Sequence, residues 1–413
     1  MSYRRVVVTG MGAVTPFGVS ADRLWDGLIE GLGAVSRITL LDTSAFEVHI
    51  AGEVPNFDPA AHLDRKIIKR LDRYAQFALV AADEAVKQSG LDPSREDPYR
   101  MAVVFGTGIG GMNELESQFM RLAEKGPSKV SAFTIPKLMV NAASGNISIA
   151  YGAKGMSIAI STACASATNA MGEAFRQIRA GYADVIFTGG AEAAVTGLSL
   201  AAFAAMKALS CRNDDPGRAS RPFDRDRDGF VLAEGAGAFV FEELEHAKRR
   251  GASILAEIIG FASSSDADHL TQPLESGEGA AAAMRLSLQD AAINPDEVDY
   301  INAHATSTPL GDISETLAIK NVFGSSAKKL VISANKSALG HSLGASGGIE
   351  LVSIIGSLRN SVIPPTINLD SPSEGCDLDY CPHTARDRRV RIALNNSFGF
   401  GGHNACLVVK RFE

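Results

Sequence analysis

A cysteine, two histidines and a lysine each follow a predicted strand in this chain, and that shared placement is where its chemistry begins. Cys164 lies in Ser157-Ile-Ala-Ile-Ser-Thr-Ala-Cys164-Ala-Ser-Ala-Thr-Asn-Ala-Met-Gly-Glu-Ala-Phe175. Ile158 and Ile160 alternate with small residues as in a buried strand, and Ala165, Ala167, Ala170 and Ala174 favour a helix. The thiol therefore falls at a strand-to-helix junction. Unpaired amides and the positive end of the helix dipole would stabilise a thiolate there and lower its pKa from the free value of about 8.5. A nucleophile is built this way, although a small buried thiol filling a gap is the competing use of the same residue.

His304 follows a strand in Asn302-Ala-His304-Ala-Thr-Ser-Thr308, and Lys336 precedes His341 by five residues in Asn335-Lys336-Ser-Ala-Leu-Gly-His341. Either histidine alone also fits a structural role. Asn396-Ser-Phe-Gly-Phe-Gly-Gly402-His-Asn404 is a glycine-rich turn whose closely spaced amides suit an oxyanion or an extended substrate, and equally a flexible hairpin. Joint occurrence adds weight: all of these groups sit at strand exits, which an α/β sheet can gather along one edge.

The elements that must position them come in two rounds. Residues 4–12 read as a short strand ending in a Gly10/Gly12 turn, followed by a helix over 21–31, loops and short strands over 33–62, and an alanine-rich helix over 74–89. A strand over 101–106, a helix through 122, a partly buried excursion over 126–154, the Cys164 unit and strands over 184–192 and 237–242 complete the first round. A break near 248–252 marks a boundary. Strands over 254–260, 299–303, 330–334 and 390–395 then alternate with helices over 277–292, 312–321 and 344–358. The stretch from Ile332 repeats the strand, tight turn and small-residue helix of the cysteine unit. Alternating strands and helices in two similar rounds predict a duplicated, layered α/β fold with halves 1–251 and 252–413.

Composition narrows the function classes. The chain has 413 residues, is 46% hydrophobic and 21% charged, and has a formal charge of −7, which fits an α/β enzyme and argues against a nucleic-acid binder. No apolar run approaches the roughly 20 residues of a membrane span. Met1-Ser-Tyr-Arg-Arg leads directly into a strand with no signal peptide, so a cytoplasmic location is expected. Five cysteines with no C-x-x-C pair predict reduced thiols rather than disulfides or zinc. Gly10-Met-Gly12 lacks the third glycine of a dinucleotide fingerprint. The acidic residues Asp224, Asp226 and Asp228 alternate with arginines and predict internal ion pairs rather than a calcium loop. The basic run 65–73 is either a solvated helix face or a surface that steers an acidic partner.

The ordered set of motifs resembles the thiolase-like condensing enzymes, in particular the elongating β-ketoacyl-acyl carrier protein synthases of the synthase II type. The resemblance runs from Val6-Val-Val-Thr-Gly-Met-Gly through Thr162-Ala-Cys164-Ala-Ser, Gly189-Gly-Ala-Glu192, Ser220-Arg-Pro-Phe-Asp, Arg227-Asp-Gly-Phe-Val, His304-Ala-Thr-Ser-Thr308, Lys336-Ser-Ala-Leu-Gly-His341 and Pro364-Pro-Thr-Ile-Asn-Leu-Asp370 to Asn396-Ser-Phe-Gly-Phe-Gly-Gly402. It implies a thiolase-like α-β-α-β-α fold and decarboxylative condensation of malonyl carrier protein with an acyl chain held on Cys164. His304 and His341 would promote the decarboxylation, and the amides of Cys164 and Phe400 would form the oxyanion hole. By the same resemblance, Lys336 with Glu350 organises the histidines, Thr306 and Thr308 contact the pantetheine arm, and Ile109 ends the acyl pocket. Phe400 gates the cysteine within the turn that also holds Phe398, Gly399 and Gly401. Asp312 and Glu315 either join the polar network or cap the helix that begins there. Lys66, Lys69, Arg70 and Lys207 would dock the acidic acyl carrier protein, and the resemblance implies a homodimer with no organic cofactor and no catalytic metal. A polyketide ketosynthase shares these motifs. A chain-length-factor-like subunit usually lacks the cysteine, and a biosynthetic thiolase has a second catalytic cysteine where this chain has His403. Two departures stand out: Ala305 replaces a common glycine, with a negative φ expected, and His403 replaces a common threonine.

Overall fold

The computed structural model describes residues 3–413, so Met1 and Ser2 of the predicted amino-terminal lead-in lie outside the described residues. Ten main strands run in chain order: β1 (Val6–Thr15), β2 (Met101–Gly106), β3 (Ser157–Ile160), β4 (Val185–Glu192), β5 (Gly235–Glu243), β6 (Ala256–Ser265), β7 (Tyr300–Asn302), β8 (Val331–Ser333), β9 (Ile392–Gly399) and β10 (His403–Lys410). The main helices are α1 (Arg73–Ser89), α2 (Ser166–Arg179), α3 (Glu278–Ala291), α4 (Gly311–Phe323) and α5 (Ser346–Asn360).

The strands join edge to edge in the order β8-β7-β9-β10-β6-β1-β5-β4-β2-β3. Numbered within each half, both read first, fifth, fourth, second, third from the middle outward, and the halves meet where β1 pairs antiparallel with β6. Pair directions repeat as well: β2 runs parallel to β3 and β4, and β7 runs parallel to β8 and β9. Duplication is thus a matter of topology and not only of motif echo. The helices supply the layers. α1 covers β1 and β5 on one outer face, α3 covers β6 and β10 on the other, and α2 and α5 lie between the halves against strands of both. Outer cores around Tyr74, Phe77 and Phe187, and around Met284, Ile301 and Leu394, flank a central core built on Phe175, Phe239, Ile354 and Leu407. The α-β-α-β-α order expected from the sequence is the observed one.

Glycines explain the tightest contacts, and here the sequence reading needs correction. β1 does not end at Gly10 and Gly12 but runs through both to Thr15. A Cβ at Gly10 would overlap the Ala85 carbonyl, and one at Gly12 the Ala81 carbonyl, so these glycines let α1 lie directly on the strand. β4 runs through Gly189 and Gly190 to Glu192, as the sequence predicts. The excursion over 126–154 holds two short helices, Thr134–Leu138 and Ala142–Tyr151.

Candidate active site

Cys164 lies between β3 and α2 on a backbone whose preceding residue, Ala163, adopts φ +48°, a sharp turn that ends the strand and presents the thiol. His304 follows β7, and Lys336 and His341 lie between β8 and α5, the counterpart of the Cys164 unit in the second half. The β9–β10 hairpin brings the glycine turn against the cysteine: a Cβ on Gly399 would stand 2.8 Å from the Thr162 carbonyl and 3.0 Å from the Cys164 amide, so only glycine fits.

The reactive atoms converge. The sulfur of Cys164 and ring nitrogens of His304 and His341 all lie within 4.8 Å of one another, and His341 Nε2 is 3.0 Å from the sulfur. The two imidazole centroids are 5.4 Å apart and nearly perpendicular. His341 is fixed on its other side, with Nδ1 3.0 Å from the Ser346 hydroxyl and the ring edge-on to Phe230 at 5.4 Å. Phe398 packs against His304 at 5.8 Å. A cavity of about 490 Å³ contains the site, and its lining includes Ile109, Lys207, Thr306, Thr308, Phe398, Gly399 and Phe400 beside the three reactive side chains.

Electrostatics revise one expectation. Burial pushes the Cys164 thiol up to about 12, while the Lys336 charge and the amides of Phe400 and Cys164 pull the other way. The sequence predicted a thiol lowered by the helix end; α2 begins only at Ser166, and desolvation outweighs that field in the closed site. Burial also holds both imidazoles well below the ordinary histidine range, with Lys336 repelling their charged forms. Both directions favour a protonated Cys164 facing an uncharged imidazole.

Behind the reactive groups lie the supporting carboxylates. Lys336 forms a buried ion pair with Glu350. Glu315 accepts the His304 amide at 2.9 Å and the Ala305 amide at 2.7 Å, and Asp312 accepts the amides of Phe223 at 2.7 Å and Ser307 at 3.2 Å. Both carboxylates thus hold the 304–308 turn, and neither caps α4, whose first turn follows Leu310 without a side-chain bond. This turn explains a second correction: Ala305 has φ +27°, not a negative value, because the two Glu315 bonds hold consecutive amides toward one carboxylate. Within the 221–228 loop the expected ion pairs join Arg221 to Asp224 at 2.9 Å and Arg225 to Asp226 at 3.7 Å, whereas Arg227 reaches out of the loop to Asp312 at 3.6 Å.

Some predicted residues stand apart from the cavity. Lys66, Lys69 and Arg70 are exposed on and just after the short helix Arg65–Ile68, with Arg70 over the Phe133 ring at 5.8 Å, while Lys207 stands at the cavity itself. Gly401 lies outside the lining, and its amide bonds the Leu270 carbonyl at 2.6 Å. Sequence reasoning missed three contributors: Phe230, Ser346 and Glu192. Phe230 and Glu192 lay inside recognised motifs, but nothing local marked them as partners of His341 or of the cavity wall.

Across the whole chain, the duplicated five-layer architecture is that of the ketosynthases. A ketosynthase solved with a type II polyketide acyl-carrier protein, bound to the hexaketide, superposes with a TM-score of 0.93 at 36% identity, covering 100% of both chains. A β-ketoacyl synthase from Burkholderia phymatum does so with 0.92 at 36% identity, covering 99% of this chain and 100% of that one. Residues 3–247 match the β-ketoacyl synthase N-terminal domain and residues 255–370 its C-terminal domain. The chain is 48% identical over 410 residues to 3-oxoacyl-[acyl-carrier-protein] synthase 2 of Staphylococcus aureus, covering 99% of each, and 49% identical over 411 residues to that of Coxiella burnetii, covering 100% of this chain and 99% of the other. It belongs to the β-ketoacyl synthase family.

Proposed function

We propose that the chain is an elongating β-ketoacyl-acyl carrier protein synthase of fatty acid synthesis. The observation that carries this reading is the convergence of one thiol, two neutral imidazoles and the Phe400 and Cys164 amides on a single cavity. In the first half-reaction the Cys164 sulfur attacks the acyl thioester, its proton passes to His341 Nε2, and the carrier's thiol leaves as it regains a proton. The two amides stabilise the tetrahedral oxyanion. In the second, malonyl carrier protein loses carbon dioxide, and the enolate oxygen accepts hydrogen bonds from neutral His304 and from His341, whose proton now sits on Nε2 while the Ser346 hydroxyl donates to Nδ1. That carbanion attacks the acyl-cysteine, the tetrahedral intermediate collapses with expulsion of the Cys164 sulfur, and the sulfur takes a proton from solvent as the β-ketoacyl product departs. Lys336 and Glu350 position the histidines, and burial with the Lys336 charge favours their neutral state.

Thr306 and Thr308, with hydroxyls 3.1 Å apart at the cavity, suit the amide-bearing arm of the carrier. Lys66, Lys69, Arg70 and Lys207 present cations for its acidic surface. Dimerisation through β3 is the matching assembly: this strand is the open edge of the sheet, and Phe119, Ile135 and Ile149 are exposed apolar residues on the neighbouring helices. A polyketide role has a similar fold in its favour at 36% identity, while the fatty-acid enzymes stand at 48–49% over nearly the whole chain. Among the described residues, no helix is long and apolar enough to cross a membrane. Incubation with acyl carrier proteins followed by intact-mass measurement tests the reading: an acyl adduct on Cys164, converted by malonyl carrier protein into a longer β-ketoacyl product, is expected. Failure to form that product excludes condensation.

A further inference from the structure

Glu192, at the end of β4, is a carboxylate with no solvent exposure that the reaction above leaves unused. Its five polar partners are all donors. Oε1 receives the Thr107 hydroxyl at 2.9 Å and the amides of Ile109 and Gly110 at 3.1 and 3.3 Å, and Oε2 receives the amides of Gly108 at 2.7 Å and Gly344 at 3.1 Å. A donor set of this kind favours an ionised acceptor and opposes the burial that raises the carboxyl's pKa. Both approaches to Oε2 are kept open by glycine, since a Cβ at Gly108 or Gly344 would come within 2.8 or 2.7 Å of that oxygen.

The partners belong to two separate loops. Residues 107–110 follow β2 and carry Ile109 into the cavity wall, while Gly344 lies three residues after His341 and leads into α5. Among the described residues, no other side chain bonds both loops. The Glu192 charge also acts on the sulfur, pushing the Cys164 thiol up where Lys336 pulls it down.

We propose that Glu192 is a positioning residue that locks the Ile109 wall of the cavity to the His341 loop, so that acyl-length selectivity depends on one buried, charged carboxylate. The inference rests on Cys164 being the acyl acceptor. Glu192→Gln keeps the side chain's size but turns an amide N–H₂ toward at least two donors. Two measurements are made on the full-length protein: initial rates of Cys164 acylation by carrier proteins bearing short, medium and long saturated chains, and the pH dependence of Cys164 alkylation by iodoacetamide. The variant is expected to change the ratio of long-chain to short-chain rates by about tenfold, as a shifted wall would. Its alkylation midpoint moves to lower pH, because a nearby negative charge has gone.

Thr107→Val removes one donor to Glu192 and the acceptor for the Gly110 amide while keeping the charge. It is expected to change the chain-length ratio by less and to leave the alkylation midpoint in place, and it decides the matter alone should Glu192→Gln not fold. An unchanged chain-length ratio in the folded variants, or an unchanged midpoint in Glu192→Gln, overturns the proposal. A wild-type protein that accepts no acyl group on Cys164 removes the functional reading instead, and the alkylation profile still reports on Glu192.

Discussion

The Cys164 unit and the His341 unit are the same strand-turn-helix built twice, yet their sheet edges differ. β8, which leads to Lys336, is fully buried: its Ile332 amide bonds the Asp379 carbonyl at 2.8 Å, and the Thr366 hydroxyl accepts the Ala334 amide at 3.0 Å. β3, which leads to Cys164, has Ser157 exposed and Ile158 to Ile160 only half-buried, with no strand beyond it. One copy covers its edge with the chain around Thr366 and Asp379, and the other leaves its edge uncovered among the described residues. The turns diverged as well, one toward a nucleophile and the other toward an imidazole backed by a buried ion pair. A scaffold that holds strand exits rigid can change the chemistry at those exits without changing the fold.

The largest effect is expected in the first unit, where Cys164→Ala removes the covalent acceptor. Turnover should fall by on the order of 10⁴-fold in a condensation assay with the fold intact. In the second unit, Lys336→Met strands Glu350 in the core, and a denaturant melt should show a loss of about 3–5 kcal/mol together with lost condensation. The edges can be tested directly. Ile158 and Ile160 turn their backbone groups toward β2, so the Ala159 amide points outward, and Ala159→Pro should leave the chain folded but shift sedimentation toward the monomer.

A smaller effect is expected at the opposite end of the first half. Register places Glu192 beside Gly235 and Val185 beside Glu242, so the cluster of Glu242, His246, Arg250 and Glu96 lies at the end of the strands away from the site. The bond to Glu242, partly offset by burial, raises His246, so its stabilising share is full below the unfolded histidine pKa of about 6.5 and is lost as pH rises through the folded value. His246→Ala should cost about 1–2 kcal/mol at mildly acidic pH and less at alkaline pH, with turnover unchanged. Smallest is the joint Lys66→Ala, Lys69→Ala and Arg70→Ala change, which should raise KM for the carrier protein a few-fold at low salt and hardly at high salt.

Much of this was legible in the sequence because strand exits carry a local signature: Cys164, His304 and His341 each follow a short apolar run, and the second half repeats the order of the first. What escaped depends on distance in space. Gly10 and Gly12 read as a turn because the sequence shows a missing side chain but not the helix pressed against it. Glu192 read as a motif letter because its partners lie 82 to 152 residues away in the chain. The thiol's pKa was misjudged because a junction reveals the helix field but not how completely the surroundings close over the sulfur, and Ala305 took a positive φ because Glu315 on another element sets that turn.

The division of labour between thiol and imidazoles is tested most directly by a single-turnover experiment on His304→Ala, whose loss leaves the His341 contact to Cys164 in place. The acylated variant is isolated, mixed with malonyl carrier protein, and the mass of the Cys164 adduct is followed. Acylation at near the wild-type rate, with the adduct then persisting and no carbon dioxide released, is the predicted result. Discharge of the adduct into a β-ketoacyl product at the wild-type rate would contradict the account.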